Sequence, residues 1–287
     1  MKVVGTIEDI RRLVAAARLS GKSVGFVPTM GALHRGHCSL IDAARAACEF
    51  VVVSIFVNPT QFAPGEDLAA YPRTGEADLA ACEAHGADAV FMPTAEEMYP
   101  PGARTKVSVA GLGENLCGRS RTGHFDGVCT VVAKLFNIVQ ADKAFFGAKD
   151  FQQAAIIRRM AADLDFPLEV VVCPTVREAD GLAMSSRNAY LTPAQRRQAP
   201  ALHAALKHAG ELIRRSHPLA GEVIEAVRRH LAAEAPDGRV DYIQIVDPLT
   251  LADVTSTGRP VLVALAVHLG KARLIDNELV DSTPPAS

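Results

Sequence analysis

The sequence has no surplus of basic residues, no long apolar segment and no paired cysteine motif. Lysine and arginine number 30 against 32 aspartates and glutamates, and the formal net charge is −2 over 287 residues. Nucleic-acid-binding proteins usually carry a basic excess, so we expect no nucleic-acid partner, although a local basic cluster can still bind a small anion. No apolar run reaches the roughly 18 residues that a membrane-spanning helix needs, and residues 261–269 form one of the longest. We therefore expect no membrane partner.

Six cysteines lie singly at positions 38, 48, 82, 117, 129 and 173, without a C-x-x-C pair or a tight cluster with histidine. This arrangement argues against a zinc site and favours small buried thiols in a reducing compartment. The first ten residues, MKVVGTIEDI, become acidic too early for a secretory signal peptide. We expect a cytoplasmic protein.

Strand-like and helix-like patterns alternate through the first 176 residues. The predicted strands are 24–27 (ending at Pro28), 50–57, 89–92, 143–146 and 169–173, and the predicted helices are 7–20, 36–47, 76–85, 128–139 and 152–164. Repeated strand–helix–strand units predict an α/β fold with a Rossmann-like, doubly wound parallel sheet. In such sheets, ligands bind at the carboxyl ends of the strands.

The pattern changes after position 176. A loop extends to position 191, Thr192 and Pro193 open a helix as its N-cap and first residue, and a second helical pattern covers 221–233. Strand-like runs follow at 240–246, 260–267 and 272–277. Two helices followed by three strands predict a smaller C-terminal α+β domain. We therefore predict domains at 1–176 and 177–287, the second acting as a lid over the ligand, with a frayed tail at 281–287.

The segment PTMGALHRGH, residues 28–37, lies between a predicted strand and a predicted helix. The start of a helix offers backbone N–H groups and a positive dipole end to an anion, and Gly31 and Gly36 let a ligand approach the backbone closely. His34 and His37 are three residues apart, so both rings are expected on one face of the first turn, where they can stabilise charge on a phosphate. The simpler interpretation, two solvated histidines on an ordinary turn, is disfavoured by the preceding strand and the glycine-rich turn.

The segment GAKDFQQ, residues 147–153, also follows a predicted strand. Lys149 supplies a point charge for a phosphate, and Asp150 either caps the next helix or holds a ribose hydroxyl. Gln153 lies one turn on and is expected to face the same cleft. An N-cap explains Asp150 equally well, but it does not explain a lysine beside Gly147.

The segment VREADGLAMSSRN, residues 176–188, has the composition of a phosphate-binding loop. Ser185 and Ser186 can donate to phosphate oxygens, Arg187 can bind them through two N–H groups, and Asn188 can cap the loop. We expect a mobile clamp on a triphosphate. A polar linker between domains is the alternative.

Three more segments carry polar groups. In NPTQF, Gln61 offers a donor and an acceptor to a small polar substrate. Asp78, shortly after YPRT, either helps to hold Mg²⁺ through water or is an ordinary acid in the first turn of a helix. The segment RSRTGHF, residues 119–125, contains arginines that can reach a carboxylate or a phosphate.

Taken in order, GFVPTMGALHRGH, VNPTQF, YPRT, GAKDFQQ and VREADGLAMSSRN closely resemble the pantothenate synthetase (pantoate–β-alanine ligase) family. The resemblance covers residues 24–191 and continues more weakly to the C-terminal region. That family belongs to the class I nucleotidylyltransferases, whose paired signatures are H-x-G-H and a K-M-S-K-S-like loop. Here Ala183 stands in place of the leading lysine and MSSR replaces MSKS, which favours the ligase over a tRNA synthetase.

The resemblance implies a two-step reaction on small molecules. The carboxylate of pantoate attacks the α-phosphorus of Mg·ATP, releasing pyrophosphate and leaving pantoyl adenylate. The amine of β-alanine then displaces AMP to form pantothenate. The resemblance also implies a homodimer.

Roles for single residues follow from the same resemblance. His37 is the implied proton donor, and His34 and His37 together stabilise the α-phosphate. Lys149 and the loop residues 185–187 neutralise the leaving pyrophosphate. The implied substrate-binding residues are Gln61, Gln153, Asn58 and Tyr71, and the implied ATP-binding residues are Met30, Gly31, Ala32, Leu33, His34, Arg35, Gly36, His37, Gly147, Ala148, Lys149, Asp150, Val176, Met184, Ser185, Ser186 and Arg187.

Three residues depart from the commonest family pattern. Ala148 stands where glutamate is usual, Ala63 where glycine or a polar residue is common, and Thr122 where proline is usual. Ala148 leaves backbone contacts intact, whereas Thr122 removes a rigid φ constraint beside Arg121 and His124. None of the three replaces a residue with an implied chemical role.

Two other functions remain open on the residues alone. A nucleotidylyltransferase acting on a phosphorylated alcohol shares H-x-G-H, but Gln61 and Gln153 disfavour it, because a phosphate acceptor calls for more arginine or lysine. A nucleotide-binding regulatory module would keep the glycine-rich turn. It would not need two histidines, Lys149 and a serine–arginine loop together.

Overall fold

The computed structural model describes residues 1–62, 68–69 and 71–281. In chain order, the helices and strands are β1 (Lys2–Val4), α1 (Ile7–Leu19), β2 (Val24–Thr29), α2 (Arg35–Ala47), β3 (Phe50–Ile55), α3 (Gly75–Ala84), β4 (Ala89–Phe91), α4 (Ala95–Met98), α5 (Cys117–Ser120), α6 (His124–Val139), β5 (Lys143–Gly147), α7 (Phe151–Asp163), β6 (Glu169–Cys173), α8 (Pro193–Gln198), α9 (Ala201–Ser216), α10 (Ala220–Glu234), β7 (Gly238–Val246), β8 (Val261–Leu269) and β9 (Ala272–Val280). Among the described residues, none of these helices is long and apolar enough to cross a membrane.

The larger sheet is parallel and doubly wound, as the sequence predicts. Its strand order is β1-β4-β3-β2-β5-β6, and every pair is parallel. The chain moves outward from β2 to β3 and β4 on one side, then returns to β5 and β6 on the other. The strand order therefore reverses between β2 and β5, and ligands of such sheets bind beside that point, at the carboxyl ends of the strands.

Local sequence explains most of these elements. Residues 51–55 of β3 are buried without alternation, as expected for a β-branched strand covered on both faces. Thr6 caps α1 by accepting from the backbone N–H of Asp9 at 3.1 Å. The helix then buries Ile10, Val14 and Ala17 at helical spacing.

The expectation that β2 ends at Pro28 is wrong. The strand continues to Thr29, and Pro28 pairs with Ser54 of β3. Proline cannot donate to a sheet, but β2 pairs with β5 only at Gly25 and Phe26, so one neighbour has already diverged where Pro28 stands. The strand therefore ends two residues later than expected.

Residues 193–216 form two helices, α8 and α9, where the sequence pattern suggested one. Thr192 and Gln195 form a capping box that starts α8. The helix ends before Pro200, because proline has no N–H group to continue the helical hydrogen bonds, although Ala199 itself keeps a helical conformation. The short edge strand β1, which pairs with β4, was not predicted from the sequence.

The smaller sheet is antiparallel, with strand order β7-β8-β9. β8 is buried along nearly its whole length. The apolar faces of α9 and α10 form one core with this sheet, including Leu206, Val227 and Leu265. The class of fold, a parallel α/β sheet with a smaller α+β part, is confirmed.

Contacts within the chain define two compact units. The first contains Met1–Gly113, Arg121–Ala148 and Gln153–Thr175; the second contains Glu114–Ser120, Lys149–Gln152 and the chain from Val176 onward. Two short segments of the second unit come from the part of the sequence that otherwise forms the first unit. A single boundary in the sequence therefore does not separate the two units. The domain boundary near position 176 stays a prediction.

Candidate active site

The turn between β2 and α2 has an unusual backbone conformation. Gly31 and Ala32 both have positive φ angles, +83° and +50°, and the left-handed region is strained for alanine. Thr29 fixes the start of the turn. Its hydroxyl donates to the carbonyl of Ser54 at 2.7 Å and accepts from the N–H of Gly31 at 3.3 Å.

A buried carboxylate holds this turn. Asp78 is 2% exposed and accepts from the N–H of Ala32 at 3.0 Å and of Leu33 at 2.7 Å. The hydroxyl of Thr74 donates to it at 3.0 Å. Hydrogen bonds to a charged acceptor are strong ones, and they offset the strain at Ala32. The backbone of the turn is therefore held in place by a side chain from α3.

The two histidines cap α2 together. His34 is the N-cap, and its Nδ1 accepts from the N–H of Gly36 at 3.1 Å. Nδ1 of His37 accepts from the N–H of His34 at 3.4 Å, and the two ring centroids are 4.1 Å apart. Because each Nδ1 accepts from the backbone, each neutral ring carries its proton on Nε2. The prediction that the rings lie together on the first turn is confirmed, and both rings lie at the positive end of a helix dipole.

Gln61 is oriented by Asn58. Both are buried, at 8% and 1% exposure. Nδ2 of Asn58 donates to Oε1 of Gln61 at 3.1 Å and to the carbonyl of Gly127 at 3.2 Å. Since a carbonyl can only accept, Gly127 fixes which end of the Asn58 amide faces it. The carboxamide of Gln61 consequently has its NH₂ group on the other side, where it donates to Sδ of Met30 at 2.9 Å.

The other end of Asn58 is also occupied. Its Oδ1 accepts from the hydroxyls of Tyr99 at 2.8 Å and Thr60 at 2.9 Å. Burial raises the pKa of the Tyr99 hydroxyl, so it remains a donor. Asn58, which the resemblance assigns to the pantoate pocket, contacts Gln61, Gly127, Thr60 and Tyr99 and orients the carboxamide of Gln61.

Arg121 and His124 also contact the segment that carries Gln61. Nδ1 of His124 donates to the carbonyl of Gln61 at 2.8 Å, and Nη1 of Arg121 donates to Nε2 of His124 at 3.0 Å. These contacts fix the short 3₁₀ turn Pro59–Gln61 from behind. The sequence suggested that an arginine of this segment reaches a substrate anion; the structure shows Arg121 supporting the main chain of Gln61.

Tyr71 is buried, and its ring lies edge-on to Phe62 with 5.9 Å between centroids. Its expected place beside pantoate stays a prediction. Ala63, one of the departures from the family pattern, lies outside the described residues.

The segment after β5 places Lys149 in a short 3₁₀ turn, Ala148–Asp150. Nζ of Lys149 lies 3.8 Å from Oδ2 of Asp150. Lys149 lines a small pocket that Ser185 and Asn188 also line, so the structure brings together two residues assigned to the pyrophosphate. Gln153 is half-buried in the first turn of α7.

The segment 176–188 folds as a small hairpin followed by a 3₁₀ turn. The N–H of Met184 donates to the carbonyl of Val176 at 3.0 Å, and the N–H of Glu178 to that of Leu182 at 2.8 Å. Ser185 caps the next turn by accepting from the N–H of Arg187 at 3.3 Å. The expectation that this segment acts as a mobile clamp on a triphosphate stays a prediction.

Asn188 closes this segment, as predicted. Its Nδ2 donates to the carbonyl of Ala183 at 3.1 Å. Its Oδ1 is buried without a hydrogen-bond partner among the described residues. The hairpin is also tied to α8, because Arg196 donates to Asp180 at 2.6 Å and lowers the pKa of that carboxyl.

The remaining residues assigned to ATP lie in the segments 28–37, 147–153 and 176–188. Arg35 is exposed at the first position of α2, and Gly147 ends β5. Sequence reasoning missed Tyr99 and Gly127, which contact Asn58 in the first unit. It also missed Asp276 and Asn277, which contact Arg177 and Lys149 in the second unit. The adjacent polar residues Asp276 and Asn277 inside the predicted strand 272–277 were a visible signal.

The described residues contain no group of three or more histidine, cysteine or acidic side chains placed to bind a metal ion. Asp78, the candidate for Mg²⁺, already accepts three hydrogen bonds from the protein. Mg²⁺ commonly binds through one or two carboxylates with phosphates and waters. The donor set therefore fits an ion that arrives with a nucleotide better than a resident metal.

A doubly wound sheet with an anion-binding helix start at its reversal point defines a nucleotide-binding α/β protein. The comparisons with known proteins narrow this class. A sequence model described as Pantoate-beta-alanine ligase matches residues 2–279. The chain belongs to the pantoate–β-alanine ligase family.

Similar proteins match nearly the whole length of this chain. Pantothenate synthetase from Moorella thermoacetica is 54% identical over 281 residues, which is 98% of this chain and 99% of that protein. The crystal structure of pantothenate synthetase from Thermus thermophilus has a TM-score of 0.91 at 47% identity, covering 97% of this chain and 99% of that one. The pantoate–β-alanine ligase from Francisella tularensis, solved with Beta-gamma ATP and β-alanine, has a TM-score of 0.79 at 32% identity and covers 97% of both chains.

Proposed function

We propose that this chain uses ATP to join pantoate to β-alanine, releasing AMP and diphosphate. The observation that carries the proposal is the family match over residues 2–279, together with the paired Nε2–H donors of His34 and His37 at the start of α2. A regulatory nucleotide-binding module has no use for two such donors. A phosphorylated acceptor is disfavoured by the carboxamide of Gln61.

In the first step, a carboxylate oxygen of pantoate attacks the α-phosphorus of ATP, and the bond to pyrophosphate breaks. We assign His34 and His37 to the negative charge that grows on the α-phosphate, with His37 as proton donor. Donors already in place stabilise such charge without reorganising. Lys149 and residues 185–187 receive the leaving pyrophosphate, and the remaining residues of the ATP set, from Met30 to His37 and from Gly147 to Asp150, hold the nucleotide.

In the second step, the amine of β-alanine attacks the acyl carbon of the adenylate, and the bond to AMP breaks. Gln61 and Gln153 are assigned to the substrates, with Tyr71 beside them. The orientation of Gln61 supports a specific contact: its NH₂ group is the end that is free of Asn58, so it binds an oxygen of the acid. Holding the adenylate on the protein keeps it from water and raises its effective concentration.

Mg²⁺ enters this scheme as part of the substrate Mg·ATP, where it neutralises phosphate charge. Asp78 can take part only through a water molecule, because its carboxylate is held by the turn. A homodimer and a cytoplasmic location complete the proposal. Equilibrium sedimentation at several protein concentrations tests the dimer.

Pyrophosphate release tests the function directly. Mg·ATP and D-pantoate should give a single burst of about one pyrophosphate per site without β-alanine, and steady turnover with it. The His37→Ala variant should lose the burst. His85→Ala should keep it, because His85 pairs with Asp42 at 2.7 Å on another surface of the same unit. Folded protein that releases no pantoate-dependent pyrophosphate would overturn the proposal and direct attention to phosphorylated acceptors.

A further inference from the structure

We propose that Asp276 and Asn277, consecutive residues of β9, position the phosphate-binding groups of the site. Asp276 holds the hairpin that leads to Ser185, and Asn277 holds the turn that carries Lys149. Neither residue belongs to the set that the family resemblance assigns. The inference rests on the proposed function, since it concerns the groups assigned there to pyrophosphate.

The first contact fixes the backbone of Lys149. Nδ2 of Asn277 donates to the main-chain carbonyl of Lys149 at 2.9 Å, across 128 residues of sequence. Lys149 has a long flexible side chain, so its ammonium group can be placed reproducibly only if its backbone is fixed. Asn277 supplies that restraint from a rigid strand.

The second contact is an ion pair. Nη1 and Nη2 of Arg177 donate to the two carboxylate oxygens of Asp276 at 2.6 and 3.0 Å. The Asp276 side chain is 2% exposed and that of Arg177 is 22% exposed. Two parallel N–H···O bonds fix orientation as well as distance. The start of the hairpin is therefore tied to β9 in a single geometry.

Arg177 carries this restraint across the hairpin. Its Nη1 also donates to the carbonyl of Gly181 at 3.1 Å, and residues Arg177 and Ala183 pair as an isolated antiparallel bridge. Gly181 has a φ of +92°, and a Cβ there would lie 2.5 Å from Nδ1 of His203. The guanidinium of Arg177 thus joins both sides of the hairpin to Asp276. The second side includes Ala183, two residues before Ser185.

The two contacts leave β9 on opposite faces, because successive side chains of a strand alternate. Burial alternates along residues 272–277 in the same way. Asp276 and Asn277 can therefore hold two separate segments, the hairpin and the turn that carries Lys149, against the same strand. The pocket lined by Lys149, Ser185 and Asp276 lies where these segments meet.

A purely structural ion pair is the competing interpretation, and β9 provides a control for it. Two residues further along the strand, Glu278 lies 3.4 Å from Arg214 of α9. That pair also joins β9 to another element, but it does not lead to a residue assigned to the reaction. Loss of either pair can lower stability, whereas only loss of the Asp276 pair should change the handling of ATP.

The first experiment compares Asp276→Asn with Glu278→Gln in the adenylation half-reaction. Asp276→Asn should lower kcat/KM for ATP about a hundredfold, as small displacements of reacting groups do. The KM for pantoate should change less than about twofold. Glu278→Gln should leave both constants near wild type. Trypsin should cleave after Arg187 faster in Asp276→Asn only.

The second experiment applies if Asp276→Asn fails to fold because the buried carboxylate has been removed. Asn277→Ala removes the hydrogen bond to the carbonyl of Lys149 and no charged group, and it should impair ATP use about tenfold with little change in melting temperature. Combining Arg177→Gln with Asp276→Asn should cost no more in kcat/KM for ATP than Asp276→Asn alone, because both changes remove the same restraint.

Unchanged ATP kinetics in folded Asp276→Asn and Asn277→Ala, with an active wild type, would overturn the inference and leave the proposed function standing. An inactive wild type would instead overturn the proposed function. In that case the tryptic cleavage after Arg187 still reports whether Asp276 restrains the hairpin.

Discussion

The carboxylate of Asp78 accepts a hydrogen bond of 3.0 Å from the backbone N–H of Ala32, a residue held at a φ of +50°. An alanine leaves this region readily unless its neighbours hold it there. The glycine-rich turn therefore depends on a buried acid 46 residues further along the chain.

Asp78→Asn should weaken both the fold and the use of ATP. The new NH₂ group faces backbone N–H donors that need an acceptor, and such a loss costs about 1–3 kcal/mol. Denaturant unfolding and ATP-dependent pyrophosphate release measure the two effects. Glu76→Gln, an exposed acid in the first turn of the same helix, is the matched control and should change neither. Full activity in Asp78→Asn would show that the turn between β2 and α2 keeps its conformation without the carboxylate of Asp78.

Gly31→Ala should be more harmful than Gly21→Ala. Both glycines have positive φ angles, +83° and +74°, so both variants carry the conformational cost of about 1–2 kcal/mol. A Cβ at Gly31 would also lie 3.0 Å from Oδ2 of Asp78 and 3.2 Å from Ile55, whereas nothing lies within 4 Å at Gly21. The difference between their unfolding free energies isolates the crowding, and equal values would contradict it.

Gly127→Ala should displace Gln61. A Cβ at Gly127 would lie 2.3 Å from the carbonyl oxygen of Thr60 and 2.7 Å from Cα of Gln61, and both atoms are backbone. We expect a higher KM for pantoate and a loss of about 1–3 kcal/mol in stability from overpacking. Gly221→Ala, at an open position of α10, should instead stabilise by up to about 1 kcal/mol. Normal pantoate binding in folded Gly127→Ala would contradict the close approach.

Much of the sheet is predictable because its signals are local. The β-branched run at 50–57 and the capped helix after Thr6 are each encoded within a few residues. The end of β2 was mispredicted at Pro28, because a strand tolerates proline where a neighbouring strand has diverged. The neighbour here is β5, which begins 115 residues later in the sequence. The break between α8 and α9 has a local signal in the sequence, Pro200.

The residues of the candidate site also divide into those that a local motif predicts and those whose roles depend on distant partners. The histidine pair and the lysine turn were predictable because each lies in one short segment at a strand end. The roles of Asn58 and Asp78 were not, since their partners are set by the folded chain: the carbonyl of Gly127 for Asn58 and the N–H groups of Ala32 and Leu33 for Asp78. Asp276 and Arg177 are 99 residues apart, a separation that no motif spans.

Lys149→Ala should lower the rate of adenylate formation by about 10²–10³, the usual cost of losing one charge-stabilising donor. Single-turnover release of pyrophosphate measures it. Lys143→Ala is the control from the start of the preceding strand, because Lys143 forms a surface pair with Glu169 at 2.9 Å, and such pairs contribute little. A near-normal single-turnover rate in Lys149→Ala would remove the lysine from the set assigned to pyrophosphate.

His203 should make stability depend on pH. Burial lowers its pKa below the usual 6.5, and the positive charge of Arg177 acts in the same direction, while Asp276 opposes them. The unfolded chain therefore binds a proton at His203 more readily than the folded chain does. By linkage, this residue makes the free energy of unfolding fall as pH decreases below about 7.

The His203→Gln variant tests this origin of the pH dependence. Between about pH 7.5 and 5.5 its free energy of unfolding should fall less steeply than that of the wild type, because one proton-linked group has been removed. His208→Gln, at an exposed position of the same helix, should keep the wild-type slope. Burial also lowers the pKa of His268, so a residual slope is expected in His203→Gln. A slope identical to the wild type would mean that the folded protein protonates His203 as readily as the unfolded chain.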